Sequence, residues 1–245
     1  MPKKRHRITR REMREDSLVT FSLKAADFVK RNARVLAIVA LIAAASIIVV
    51  FMMTRDRAKA ESEAEVLLAQ ANKELWRGNS PEAVSLYDEL LDRYAGTKSG
   101  KKGLLFKGDA LLDAGKYDEA MDSYEKFLAK ERKDELLRSS AKKGIATVLE
   151  DKGEFAKAAE VHTALGLKLE GNDAAQELMS AARCYTAASM YGQAIELYEK
   201  VISRHPDYWG VEQAKVYLEE LRTKLKLAGL SSSPEGKGAV PQSTK

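Results

Sequence analysis

Four stretches of this chain are near-copies of one another: "GNSPEAVSLYDELL" from Gly78, "GKYDEAMDSYEKFL" from Gly115, "GEFAKAAEVHTALG" from Gly153 and "SMYGQAIELYEKVI" from Ser189. Their shared alanine falls at Ala83, Ala120, Ala158 and Ala194, spaced 37, 38 and 36 residues apart. A near-fixed period of this length constrains the fold more tightly than any single motif. Each unit is too small to bury its own apolar face, so successive units must stack. Every unit reads as helix, turn, helix. Gly78, Gly115 and Gly153 stand at the turn, where a missing Cβ permits the left-handed backbone that ends a helix. Ser189 holds that slot in the last unit, so its turn is expected to be the most strained or differently shaped. The alanines mark where paired helices cross, and an aromatic follows four residues later: Tyr87, Tyr124 and Tyr198, with His162 in the third unit.

Ahead of the repeats, Val35 to Met53 form 19 residues without a charge. As a helix rising about 1.5 Å per residue they span roughly 28 Å, close to the hydrocarbon thickness of a bilayer. A single transmembrane helix is the reading. A cleaved signal peptide is the rival, since "AKA" at Ala58–Ala60 has the small-x-small form. A 34-residue leader, a long apolar run, and Arg55 and Arg57 beside the supposed cut weigh against it. No Gly or Pro occurs between Arg10 and Arg77, so the apolar helix is expected to run on into the first repeat helix.

Charge is unevenly spread. Residues 1–34 carry 11 Lys and Arg against four Asp and Glu, whereas the rest carry 30 against 32. The formal +5 therefore belongs to the leader, and a nucleic-acid partner is not supported. Basic residues ahead of the span place the N-terminus in the cytoplasm and the bulk of the chain across the membrane. Within the leader, Leu18, Phe21, Ala25, Phe28 and Val29 fall on one helical stripe flanked by Lys24, Lys30 and Arg31. Such a stripe suits inner-membrane lipid headgroups, with docking to a partner's cytoplasmic loops as the alternative.

Nothing in the sequence assembles a catalytic constellation or a cofactor motif. His6 lies in the basic tail, His162 replaces a core aromatic and His205 sits in a turn. Cys184, the one cysteine, stands beside Ala181 and Ala182 as a small buried residue would. Asp118/Glu119 and Asp134/Glu135 fall near helix starts, where the helix dipole favours them. No enzyme activity, no cofactor and no metal site are expected.

The small residues at Ala71, Gly108, Ala146 and Ala182, twelve before each shared alanine, resemble the tetratricopeptide repeat (TPR), a helix pair with small residues where helices cross. His205-Pro206 matches the closing Pro of that family only in the last unit. The resemblance covers roughly residues 64–208. It implies an all-α architecture: one N-terminal transmembrane helix, then a TPR-like α-solenoid of about four helix pairs, and a terminal capping helix within Tyr208 to Leu227. The domain reading is 1–34 cytoplasmic leader, 35–53 span, 54–63 helical connector, 64–228 repeat domain and 229–245 disordered tail. In the family, a concave groove is lined by first-helix positions. Carried over, the resemblance implies a partner-binding groove at Leu68, Asn72, Leu105, Asp109, Lys143, Thr147, Met179 and Arg183. Packing between repeats is the competing reading for its apolar members.

With its basic leader, single span and TPR region, the chain resembles bacterial membrane-anchored TPR proteins related to the ancillary subunit of the SecYEG translocon. The leader "ITRREMREDSLVTFSLKAADFVKRN" is similar to theirs. That resemblance implies a non-enzymatic periplasmic adaptor at the inner membrane. Its partners would be translocon subunits, periplasmic chaperones or exported polypeptides. A scaffold for cell-envelope assembly or division, and a regulator acting through the leader, are the alternatives.

Overall fold

The computed structural model describes residues 21, 23–26, 28–227 and 229. The basic run before Phe21, Leu18 of the leader stripe, and the tail beyond Gly229 lie outside the described residues. Phe21, Ala25, Phe28 and Val29 are helical and exposed. The chain divides into two compact units, residues 1–59 and 60–245.

A helix, α1 (Ala33–Trp76), contains both the apolar run and the first repeat helix. It is the one helix among the described residues long and apolar enough to cross a membrane, and none of its most apolar window is buried. Ser46 is the lone polar side chain in that stretch, and its hydroxyl donates to the Ile42 carbonyl one turn back, at 2.8 Å. This bond removes much of the penalty for a hydroxyl in an apolar phase.

The second unit consists of helix pairs. The C-terminal part of α1 packs through Ala64, Leu67, Leu68 and Ala71 onto α2 (Ser80–Tyr94), which offers Ala83, Tyr87 and Leu90. Then follow α3 (Lys98–Asp113) with α4 (Tyr117–Lys130), α5 (Glu135–Asp151) with α6 (Phe155–Gly166), and α7 (Gly171–Ala187) with α8 (Tyr191–Arg204). From α2 onward each helix packs on the next, and α3 also touches α5. The terminal helix α9 (Val211–Leu227) seats Ala214, Leu218 and Leu221 against the last pair, as a capping helix does.

Periodicity and packing agree in detail. Ala83, Ala120, Ala158 and Ala194 are all fully buried, as are Ala71, Ala146 and Ala182. The crossing of α4 with α3 and α5 is tightest around Tyr124. A Cβ on Gly108 would lie 2.6 Å from its ring, and one on Gly144 only 2.3 Å. At either position a Cβ would force the ring to shift.

The four turns share one geometry. Six-residue bonds run from the amides of Asn79, Lys116, Glu154 and Met190 to the carbonyls of Glu74, Leu111, Leu149 and Tyr185, at 2.8–2.9 Å. The residue before each donor is left-handed: Gly78 at φ 77°, Gly115 at 71°, Gly153 at 74° and Ser189 at 60°. Ser189 therefore adopts the glycine conformation despite its Cβ, at a cost of about 1 kcal/mol. The turn keeps its shape, and the expected strain sits in the serine backbone.

Candidate partner-binding surface

The eight residues expected to line the groove separate into three groups. Leu68, Leu105 and Met179 are buried, Leu105 most completely at 2% exposed. Leu105 joins Leu104, Leu111, Tyr124 and Phe127 in one core cluster, and Leu68 belongs to the cluster of the first pair. This corrects the reading of both leucines as groove anchors. A first helix is flanked by its own partner and by the next pair, so an apolar residue on its flank is drawn between them. Met179 is also buried, but it borders an open cavity, described below.

Asn72 and Asp109 form the second group. Each accepts a hydrogen bond from the buried tyrosine of its own repeat: Tyr87 Oη to Asn72 Oδ1 at 2.6 Å, and Tyr124 Oη to Asp109 Oδ1 at 2.7 Å. The phenol ring fills the core while its hydroxyl finds an acceptor at the rim, as a buried tyrosine requires. Burial raises the Tyr87 and Tyr124 hydroxyls well above the phenol range, and the Asp109 charge adds to the effect. Burial also pushes the Asp109 carboxyl above the usual carboxylate range, despite the bond from Tyr124. These two residues are therefore partly committed to holding the fold.

Lys143, Thr147 and Arg183 form the third group. Thr147 and Arg183 are exposed, and Thr147 bonds back to the Lys143 carbonyl at 3.1 Å. Lys143 is engaged inward: its Nζ lies 2.8 Å from Glu177 Oε1. The same Glu177 receives His162 Nδ1 at 2.8 Å, and His162 Nε2 lies 2.9 Å from Glu150 Oε1. His162 and Glu177 are only 6% and 3% exposed. Burial opposes charge on the imidazole, yet the hydrogen bonds to Glu150 and Glu177 outweigh it and hold His162 above its ordinary value. Burial likewise opposes charge on Glu177, and the bonds from His162 and Lys143 keep its carboxyl below the usual range. The neighbouring Cys184 thiol is pushed up to about 12 by burial and by Glu150.

An open cavity lies at the last repeat. Gln176, Met179 and Arg183 of α7 face Tyr208, Trp209 and Tyr217 across a cavity of about 230 Å³. Trp209 is 79% exposed, and its ring centroid lies 5.1 Å from that of Tyr208. Gly210 lets Tyr208 fold back over the backbone, since a Cβ there would come within 2.5 Å of the ring. A second cavity, about 270 Å³, sits over the α3–α4 turn beside the Lys152–Asp118 pair, away from the first-helix positions. Met179 and Arg183, expected in the groove, border the first cavity, whose aromatic wall the sequence reading did not include. The consecutive Tyr208-Trp209-Gly210 was the available signal, two bulky aromatics before a helix.

A family model described as a tetratricopeptide repeat-like domain matches residues 26–165, more than half of the chain. This chain belongs to the tetratricopeptide repeat-like family. A tetratricopeptide repeat model also matches residues 178–208, the last helix pair. Among solved structures, a TPR protein from Parabacteroides merdae is 17% identical with a TM-score of 0.56, over 67% of this chain and 62% of its own. MamA from Desulfovibrio magneticus, residues 41 to the end, is 19% identical with a TM-score of 0.51, over 69% and 97% of the two chains. Nearly identical TPR-like repeats from Podosopora anserina are 20% identical with a TM-score of 0.53, over 71% and 99%. At such identities these TPR structures share the fold alone. No curated protein matches the sequence. A TPR array is a protein–protein interaction scaffold and typically a non-catalytic module.

Proposed function

We propose that this TPR protein is a non-enzymatic, single-pass adaptor of the bacterial inner membrane, with its repeats in the periplasm. It links the Sec translocon to periplasmic chaperones or exported chains. The observation that carries the interaction surface is the cavity at the last repeat, where exposed Trp209 stands beside Met179 on an interaction fold. An aromatic anchor next to an apolar pocket, rimmed by Gln176 and Arg183, suits an extended or helical polypeptide segment. The membrane half of the reading rests on the apolar part of α1 and on the basic leader ahead of it.

A photo-crosslinking residue at Gln176, in the full chain in bacterial membranes, tests both halves. Translocon subunits, chaperones or exported chains are expected among the captured proteins, with yield falling about tenfold in a Trp209→Ala background. Capture of none of these proteins, or yield indifferent to Trp209, overturns the proposal. Capture of envelope-assembly or division proteins instead would favour the scaffold reading.

A further inference from the structure

The third repeat departs from its neighbours at a concerted set of positions. Where the other units have Tyr87, Tyr124 and Tyr198, it has His162. Where the first two have Leu75 and Leu112, it has Glu150; where they have Leu68 and Leu105, it has Lys143. Glu177 and Cys184 arrive from the first helix of the following pair. A tyrosine at this place needs one acceptor for its hydroxyl, as the first two repeats show. The third repeat and the helix after it instead gather an imidazole, a thiol, a buried carboxylate and a partly exposed one, which helix packing alone does not require.

We propose that Glu150, His162 and Cys184 form a binding site for Zn²⁺ or a similarly borderline divalent cation, clamping α5, α6 and α7 together. Their ligand atoms, one oxygen, one nitrogen and one sulfur, all lie within 4.8 Å of one another. Bonds of about 2.0–2.3 Å in a tetrahedral site put donor atoms roughly 3.5 Å apart, so shifts of about 1 Å bring the three onto one ion. A mixed nitrogen, sulfur and carboxylate set is the kind that zinc accepts and that calcium or magnesium, which want oxygen alone, do not.

The surroundings are those of a ligating histidine. Nδ1 is bonded to Glu177 at 2.8 Å, and Glu177 is itself held by Lys143 at 2.8 Å. A carboxylate on one ring nitrogen orients the ring and leaves the other free to bind metal. Nε2, the other nitrogen, lies 2.9 Å from Glu150 Oε1, so an ion bound there would take the place of that hydrogen bond. Glu150 keeps a third of its side chain in solvent, giving the ion a route in and a water molecule the fourth position. Binding displaces the protons of Nε2 and of the thiol to solvent, so two positive charges leave as two arrive.

The test is titration of the purified full chain in detergent, after chelator treatment, with Zn²⁺ and separately with Co²⁺. One ion per chain is expected, with a thiolate charge-transfer band in the cobalt form. Cys184→Ala and His162→Tyr should each abolish that band and weaken binding at least a hundredfold. Glu177→Gln, which keeps an acceptor for the ring but removes its counter-charge, should weaken it roughly 10–100-fold. Because H162Y deprives buried Glu177 of a partner, C184A is the decisive variant: it replaces a small buried residue by one of similar size, and its circular dichroism verifies the fold. The proposal is overturned if no stoichiometric ion binds, or if C184A retains wild-type affinity.

Discussion

Repeats two and three place different chemistry at one position of one scaffold. In repeat two, Tyr124 enters between Gly108 and Gly144, fills the space left by two absent side chains, and needs a single acceptor, Asp109. In repeat three, His162 offers two polar nitrogens, and both are met by carboxylates, one of them almost fully buried and shared with Lys143. The first arrangement is sterically demanding and electrically simple. The second has the reverse character, since any missing partner leaves a charge in low dielectric.

The largest expected effect therefore lies in repeat three. Glu177→Ala should destabilise the metal-free chain by about 3–5 kcal/mol, because Lys143 and His162 lose their common counter-charge. Thermal unfolding followed by circular dichroism in detergent measures it; a loss below 1 kcal/mol would make the two centres equivalent.

Sterics should dominate in repeat two. Gly144→Ala drives a methyl into the Tyr124 ring and should cost about 1–3 kcal/mol. Adding Tyr124→Leu, which removes the obstructing ring atoms, should make the double variant less destabilised than the two single changes added together. Strict additivity would show that the close approach is relaxed at no cost.

The smallest effect distinguishes repeat two from repeat one, which uses neutral Asn72 where Asp109 stands. Burial raises the folded value of Asp109 above its unfolded value near 3.8. The folded chain thus holds that proton more tightly, and stability is lost as pH rises from about 3.8 through the folded value. Asp109→Asn keeps the acceptor for Tyr124 and removes the charge. It should stabilise by up to about 1 kcal/mol at pH 7, with the gain vanishing below the unfolded value. Equal gains at pH 3 and pH 7 would place the origin outside the titration of this carboxyl.

Much of the fold was legible because helical packing leaves a local trace. The alanines, the turn glycines and the aromatic four residues on are separated by short fixed intervals, and each is buried or left-handed as its interval implies. Cys184 as a small buried residue and His162 as a core aromatic substitute were readable for the same reason. The surface was less so. Leu68 and Leu105 occupy first-helix positions that look outward on a helix considered alone, and it takes the neighbouring pair to enclose them. The cavity wall of Tyr208, Trp209 and Tyr217 is formed by the turn and capping helix closing over α7, a contact between segments about 30 residues apart.

The linear chain by itself determined the repeat architecture, the apolar segment of α1 and the absence of a recognisable catalytic motif. Those properties follow from periodicity, hydropathy and residue chemistry within one or two helical turns. Tertiary structure alone decided that Glu150, His162, Glu177 and Cys184 converge, and that the turn at Ser189 keeps the shape of the glycine turns. Convergence depends on how three helices are rotated against one another, a sum of many small packing contacts that no local spacing records.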